Sequence, residues 1–227
     1  MSISENLQTI RAKIPASVTL VAVSKTVDEP RLREALAAGH RVYGENYVQE
    51  AKSKWTNLKS EFPDTKLHLI GHLQSNKADD AVALFDRIDT LDRVSLASAL
   101  AKSMAKQGRK VPCLIEVNIG DEPQKSGCAV AELPALIDVA RGLGIEIEGL
   151  MCIPPINMNA IRSVPSDDGT TARAETIDPA TYFEKLAQLA KANQLKTISM
   201  GMSADYETAI ECGSTEIRVG TGIFGRR

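Results

Sequence analysis

The stretch "VTLVAVSKTVDEPRLREALAAG" (residues 18–39) decides the fold class. Val18, Leu20, Val21, Ala22 and Val23 form a nearly unbroken apolar run, the composition of a strand buried on both faces, where a half-buried strand would alternate. The run ends on Lys25. Residues 28–39 then read as a helix: an acidic first turn, Pro30 near its start, Leu32, Ala35 and Leu36 at helical spacing, and Gly39 at its stop. A doubly buried strand feeding a helix is the repeating unit of a parallel sheet. Lys25 either reaches into solvent where the strand stops, or its amine is wanted there.

The same alternation continues outward from this unit. Strand-like runs recur at "RVYGENY", "KLHLIGH", "RIDTLD", "PCLIEVNI", "IEIEGLMCI", "TISMGM" and "EIRVGTGIFG", separated by helical patterns such as "SLASALAKSMAKQG" and "ELPALIDVARGLG". With the first strand this makes about eight strand-helix units, which predicts an α/β fold of one (β/α)8 TIM barrel spanning residues 1–227. An open doubly wound sheet is the structural alternative. One segment breaks the rhythm: residues 157–180 are polar, with prolines, a glycine and no sustained periodicity, and read as a long loop after the sixth strand.

Composition narrows the class of function. Apolar residues make up 43% of the chain, charged residues 25%, and 27 basic side chains offset 29 acidic ones to a net charge of -2. That balance provides no overall field for nucleic acid or an anionic membrane. The N-terminus lacks a basic region followed by an apolar run, and no window approaches the roughly 20 apolar residues of a spanning helix. A cytoplasmic protein is expected. Cys113, Cys128, Cys152 and Cys212 are scattered without a CxxC pair and read as reduced packing residues.

Two attractive motifs fail on context. "GTGIFG" (residues 220–225) matches the dinucleotide fingerprint, but that motif works on the first strand-to-helix turn, whereas here only Arg226 and Arg227 come after it. His68 and His72 are spaced as HxxxH, yet on a strand residues four apart are ~13 Å from each other, too far to share an ion. No metal site is expected.

In a parallel barrel the C-terminal strand ends form the reactive face, and Lys25, Asn46, His72, Asn118 and Ser203 all fall at or just past such ends. A lysine desolvated there by apolar neighbours keeps more of its neutral, nucleophilic amine. Ser203 falls where a helix N-cap belongs, and Gly220 and Gly222, with Thr221 between them, let backbone approach a ligand closely. Loops after the last two strands are where barrels commonly bind phosphate. These pieces outline an anion cradle on the face that carries Lys25, suited to a phosphorylated carbonyl compound. Arg218, inside the last strand, needs an acceptor because its guanidinium keeps its charge. That acceptor is either a ligand nitrogen or a carboxylate such as Glu216.

The blocks "VAVSKTV", "YGENYVQE", "HLIGHLQSNK", "EVNIGDEPQKSG", "GLMCIPP", "SMGMSADYETAI" and "EIRVGTGIFG" occur in the order found in the pyridoxal phosphate homeostasis proteins, and the chain resembles that family over nearly its whole length. The resemblance implies a fold-type III barrel, similar to the barrel domain of alanine racemase, that carries pyridoxal 5'-phosphate (PLP). It implies that Lys25 forms the Schiff base, that Ser203, Gly220 and Thr221 hold the phosphate, that Arg218 faces the pyridine nitrogen, and that Asn46 and Met202 lie against the ring. It further implies a carrier that maintains intracellular PLP, with apo PLP enzymes or a regulatory protein as partners; a monomer is expected because a dimer-forming β-domain is not seen, and the charge balance leads us to expect neither nucleic acid nor membrane as a partner. A slow PLP-dependent racemase or lyase is the alternative. Racemisation needs an acid/base group on each face of the substrate, and the chain ends without room for the separate β-domain that supplies the second one in alanine racemase-like enzymes. A cofactor-free barrel enzyme acting on a phosphorylated sugar is the third reading.

Overall fold

In the computed structural model, which describes residues 2–155, 161–164, 173–176 and 178–225, the apolar runs become eight parallel strands closed into a barrel. They are β1 (Thr19–Val23), β2 (Val42–Glu45), β3 (Lys66–Leu69), β4 (Arg87–Leu91), β5 (Cys113–Glu116), β6 (Ile147–Met151), β9 (Thr197–Ser199) and β10 (Glu216–Val219). β1 pairs with both β2 and β10, the latter in a register that sets Val21 opposite Arg218. That closure rules out the open doubly wound sheet and leaves no barrel edge to cap.

The long loop expected over 157–180 needs correction. Within it, β7 (Ile161–Val164) and β8 (Arg173–Thr176) form an antiparallel pair, and α7 (Pro179–Ala192) begins before its end, capped by Asp178. The remaining residues of that segment, 157–160, 165–172 and 177, lie outside the described residues.

Helix α2 (Glu29–Ala37) forms where its punctuation predicts. Asp28 accepts the Arg31 amide at 3.1 Å as N-cap, and Gly39, at φ +80°, turns the chain out of the helix. A further helix, α1 (Ile3–Lys13), precedes the first strand. Its signature is a capping box: Ser2 Oγ accepts the Glu5 amide and the Glu5 carboxylate accepts the Ser2 amide. Ile3, Leu7 and Ile10 form its buried face, and Asn6 Nδ2 donates to the Ile223 carbonyl at 2.8 Å. The first helix is thereby bound to the last, α9 (Thr221–Phe224).

The main apolar core lies between barrel and helices and includes the fully buried rings of Tyr43, Trp55, Phe85 and Phe183. The barrel's own interior is polar in its N-terminal half, where β/α barrels ordinarily stack branched aliphatics. Arg87 donates to Asp89 through Nε (2.6 Å) and Nη2 (2.9 Å), and to both Glu216 oxygens at 2.6 and 2.7 Å. His68 Nδ1 stands 3.8 Å from a carboxylate oxygen of each acid. His68, Asp89 and Glu216 thus form a three-donor cluster that the HxxxH spacing did not suggest, and its positive charge comes from Arg87.

All four cysteines are free, and three of them, Cys113, Cys128 and Cys152, are buried. Burial pushes the Cys128 and Cys152 thiols up to about 12, so they stay protonated and act as packing groups. Among the described residues no helix is long and apolar enough to cross a membrane.

Candidate functional site

The C-terminal ends of β1, β9 and β10 surround a cavity of about 300 Å³. Lys25, Met202, Ser203, Arg218, Gly220 and Thr221 all line it, so residues up to 196 positions apart in sequence meet at one opening. Asn46 lines a neighbouring hollow instead, with His72.

Lys25 is half-buried one residue past the buried Ser24, and both of its flanking residues are pinned. Ser24 Oγ donates to Glu45 Oε1 at 2.8 Å, and the Ser24 carbonyl accepts Lys54 Nζ at 2.7 Å. On the other side the Thr26 amide donates to the Glu50 carboxylate. Lys54 ties the two acids together, 2.7 Å from Glu45 Oε1 and 2.8 Å from Glu50 Oε1. Thr26 itself has φ 57°, an uncommon left-handed conformation for a β-branched residue. The brace holds the backbone in that conformation and so sets the direction in which Lys25 leaves the strand.

Glu45, Glu50, Lys54 and Trp55 are the positioning residues that the motif reading missed. The legible signal was local: Glu50 and Lys54 are an i,i+4 pair at the start of α3 (Val48–Glu61). Trp55 donates its Nε1–H to Glu45 Oε1 at 2.9 Å inside the core. Trp55→Phe removes that charge-assisted bond beneath the Lys25 turn, and should lower stability by about 1–3 kcal/mol in urea unfolding. An unchanged midpoint would show that the bond contributes nothing.

Arg218 is buried, and its partners are neutral: Nη1 donates to Ser199 Oγ at 2.7 Å and Nη2 to the Cys152 carbonyl at 2.8 Å. No carboxylate lies within ion-pair distance of it among the described residues, and Glu216, the acid considered as its partner, is bound by Arg87 instead.

Ser203 needs a correction in detail. The N-cap of α8 (Tyr206–Glu211) is Asp205, not Ser203, and Asp205 Oδ1 accepts the Met202 amide at 2.6 Å. Ser203 Oγ faces the last turn instead, accepting from Thr221 Oγ1 at 3.1 Å and the Gly222 amide at 3.4 Å. The turn that presents Met202 and Ser203 starts at Gly201 (φ +93°), where a Cβ would come within 2.6 Å of Ala209 Cβ. Arg31, from the first turn of α2, also lines the cavity and was not singled out from the sequence. Its guanidinium has no acidic partner among the described residues.

The family model "Alanine racemase, N-terminal domain" matches residues 1–227. A pyridoxal phosphate homeostasis protein of Vibrio alginolyticus is 36% identical over 244 residues, covering 100% of this chain and 98% of that protein. The chain belongs to the pyridoxal phosphate homeostasis protein family. A relative of the same name from Escherichia coli K12 is also 36% identical, over 99% of this chain and 97% of its own length. The structure of PipY from Synechococcus elongatus PCC7942 with PLP bound covers 99% of this chain and all of its own, at a TM-score of 0.82 and 35% identity. Alanine racemase from Bacillus anthracis superposes with a TM-score of 0.70 at 16% identity, over 56% of the racemase chain, so it shares the barrel fold with this family.

Proposed function

We propose that this chain is a cytoplasmic, monomeric, single-domain PLP carrier that maintains the intracellular PLP pool, with Lys25 as the residue that holds the aldehyde covalently. The observation that carries the reading is the company Lys25 keeps. One cavity holds its amine, the Arg218 guanidinium with neutral partners alone, and the Ser203–Thr221 turn. The cavity also fits the charge of a phosphorylated aldehyde: Lys25, Arg31 and Arg218 line it, and no acidic side chain does among the described residues. Full-length relatives carry the homeostasis name, and PipY was solved with PLP bound.

When bound, PLP supplies an aldehyde and an electron-accepting ring. The residues of this chain then divide the work. Ser203, Gly220 and Thr221 would hold the phosphate, with Arg31 in the same cavity wall as a further cation. Met202, in the cavity wall, would pack against the ring, whereas Asn46 lines the hollow beside it. Arg218 can only donate, so it matches an unprotonated pyridine nitrogen and does not protonate it. A ring kept neutral at that nitrogen withdraws electrons weakly, in contrast to one paired with an acid. That favours holding the cofactor over using it, and leaves apo PLP enzymes or a regulatory protein as its recipients.

The test is to load the purified chain with PLP, reduce with borohydride and map the modified peptide by mass spectrometry. The label is expected on Lys25, and Lys25→Ala should lose it and weaken PLP affinity by at least about tenfold. A label on another lysine, or an unaffected Lys25→Ala protein, would refute the assignment. Sustained racemisation or breakdown of L-alanine or L-serine by the loaded protein would replace the carrier with a slow enzyme.

A further inference from the structure

The hollow beside the cofactor cavity measures about 490 Å³ and is formed by the loops after β2 and β3. Its polar groups are set up for a ligand of one kind. Lys77 lines it without an acidic partner among the described residues, although Asp79 and Asp80 are close by in sequence. Those acids are taken: Asp79 pairs with Lys106 at 2.6 Å and Asp80 with Lys52 at 3.0 Å. No carboxylate lines the hollow among the described residues, so its wall carries the Lys77 charge without a counter-charge.

His72 forms another part of the wall, and its ring is oriented from behind. Nδ1 lies 3.5 Å from Asp92 Oδ2 and 3.3 Å from Ser126 Oγ. In the tautomer that carries its proton on Nδ1, facing Asp92 Oδ2 and Ser126 Oγ, Nε2 is an acceptor. Tyr47, 63% exposed, adds an aromatic face at the rim. A donor cation and an acceptor nitrogen in one hollow complement a molecule with the opposite pair, a carboxylate and an ammonium.

We propose that this hollow binds a free α-amino acid, its carboxylate on Lys77 and its ammonium on His72 Nε2, with the side chain toward Tyr47. The binding itself does not depend on the cofactor assignment. Its purpose rests on that reading, because a primary amine is the chemical class that competes with a lysine for a bound aldehyde, and the hollow opens on the same barrel end as Lys25.

The experiment is a calorimetric titration of the full chain, without PLP, with L-alanine, acetate, methylamine and inorganic phosphate. L-Alanine should bind saturably and more tightly than acetate or methylamine. Lys77→Met should weaken L-alanine at least about tenfold, and His72→Phe should weaken L-alanine while leaving acetate unchanged. Three results would overturn the proposal: no saturable binding of L-alanine; L-alanine binding unchanged in folded Lys77→Met protein, with folding checked by circular dichroism; or phosphate binding as tightly as L-alanine at Lys77, which would make the hollow a general anion site. Because no PLP is present, failure here leaves the Lys25 assignment standing, and failure of borohydride labelling leaves this titration intact.

Discussion

Arg87→Met should destabilise the protein by about 3–5 kcal/mol at pH 7, a large share of a typical domain's stability. Arg87 is the guanidinium between two buried acids, Asp89 and Glu216, at 2.6 to 2.9 Å. Asp89 is fully buried and Glu216 nearly so. Burial alone would raise the Asp89 carboxyl, but the Arg87 charge and hydrogen bonds outweigh it and hold the group below its ordinary range. Methionine fills similar volume and removes the charge, so two carboxylates remain in the barrel without their main donor. The loss should shrink as pH falls, since the stranded acids can take up protons. The combined change Arg87→Met with Asp89→Asn and Glu216→Gln should recover part of the loss, because the three residues act as one network. Urea unfolding of each variant checks this. A single substitution costing less than about 1 kcal/mol would mean that the barrel interior solvates its acids by other means.

The second large effect is a pH dependence carried by Glu116, at the C-terminal end of β5. Its carboxyl is buried, one oxygen has no hydrogen-bond partner, and burial followed by the charge of Asp92 pushes it up to about 7, against a smaller lowering by Arg218. Unfolded, the same group titrates near 4.5. Between these values the folded chain keeps a proton that the unfolded chain releases. The stabilising contribution is therefore complete below pH 4.5 and is lost as pH rises through 7. At 1.36 kcal/mol per unit the whole swing is about 3 kcal/mol. Glu116→Gln cannot titrate, so its urea midpoint should gain on the wild type between pH 5 and pH 8. Parallel pH profiles for the two proteins would show that Glu116 ionises in the folded state without penalty.

Much of the site could be read from local pattern. Lys25, Ser203, Arg218, Gly220 and Thr221 stand out because each breaks the composition of its strand or sits at a strand end, and strand ends on one barrel face converge whatever the helices between them contain. The capping box Ser2–Glu5 is local as well, but it was not singled out from the sequence. The supports could not be read that way. That Glu45, Glu50 and Lys54 brace the Lys25 turn depends on how β1 pairs with β2, and Arg31 reaches the cavity only because of the angle at which α2 leaves the strand.

By itself the sequence determined the alternation of strand and helix, and with it the parallel sheet, because apolar periodicity and capping residues act over a few positions and need no knowledge of the rest of the chain. Only the tertiary structure decided which charges meet. His68, Arg87 and Asp89 come from the paired strands β3 and β4, and Glu216 from β10 farther round the barrel; Arg218, whose acceptor the sequence left open between a ligand nitrogen and a carboxylate, binds a hydroxyl and a carbonyl. Asn46 lies in the wall of a neighbouring hollow, which its place at a strand end did not show. Electrostatic pairing depends on distances of 3 to 4 Å across a closed surface, and those distances are set by strand register and by closure.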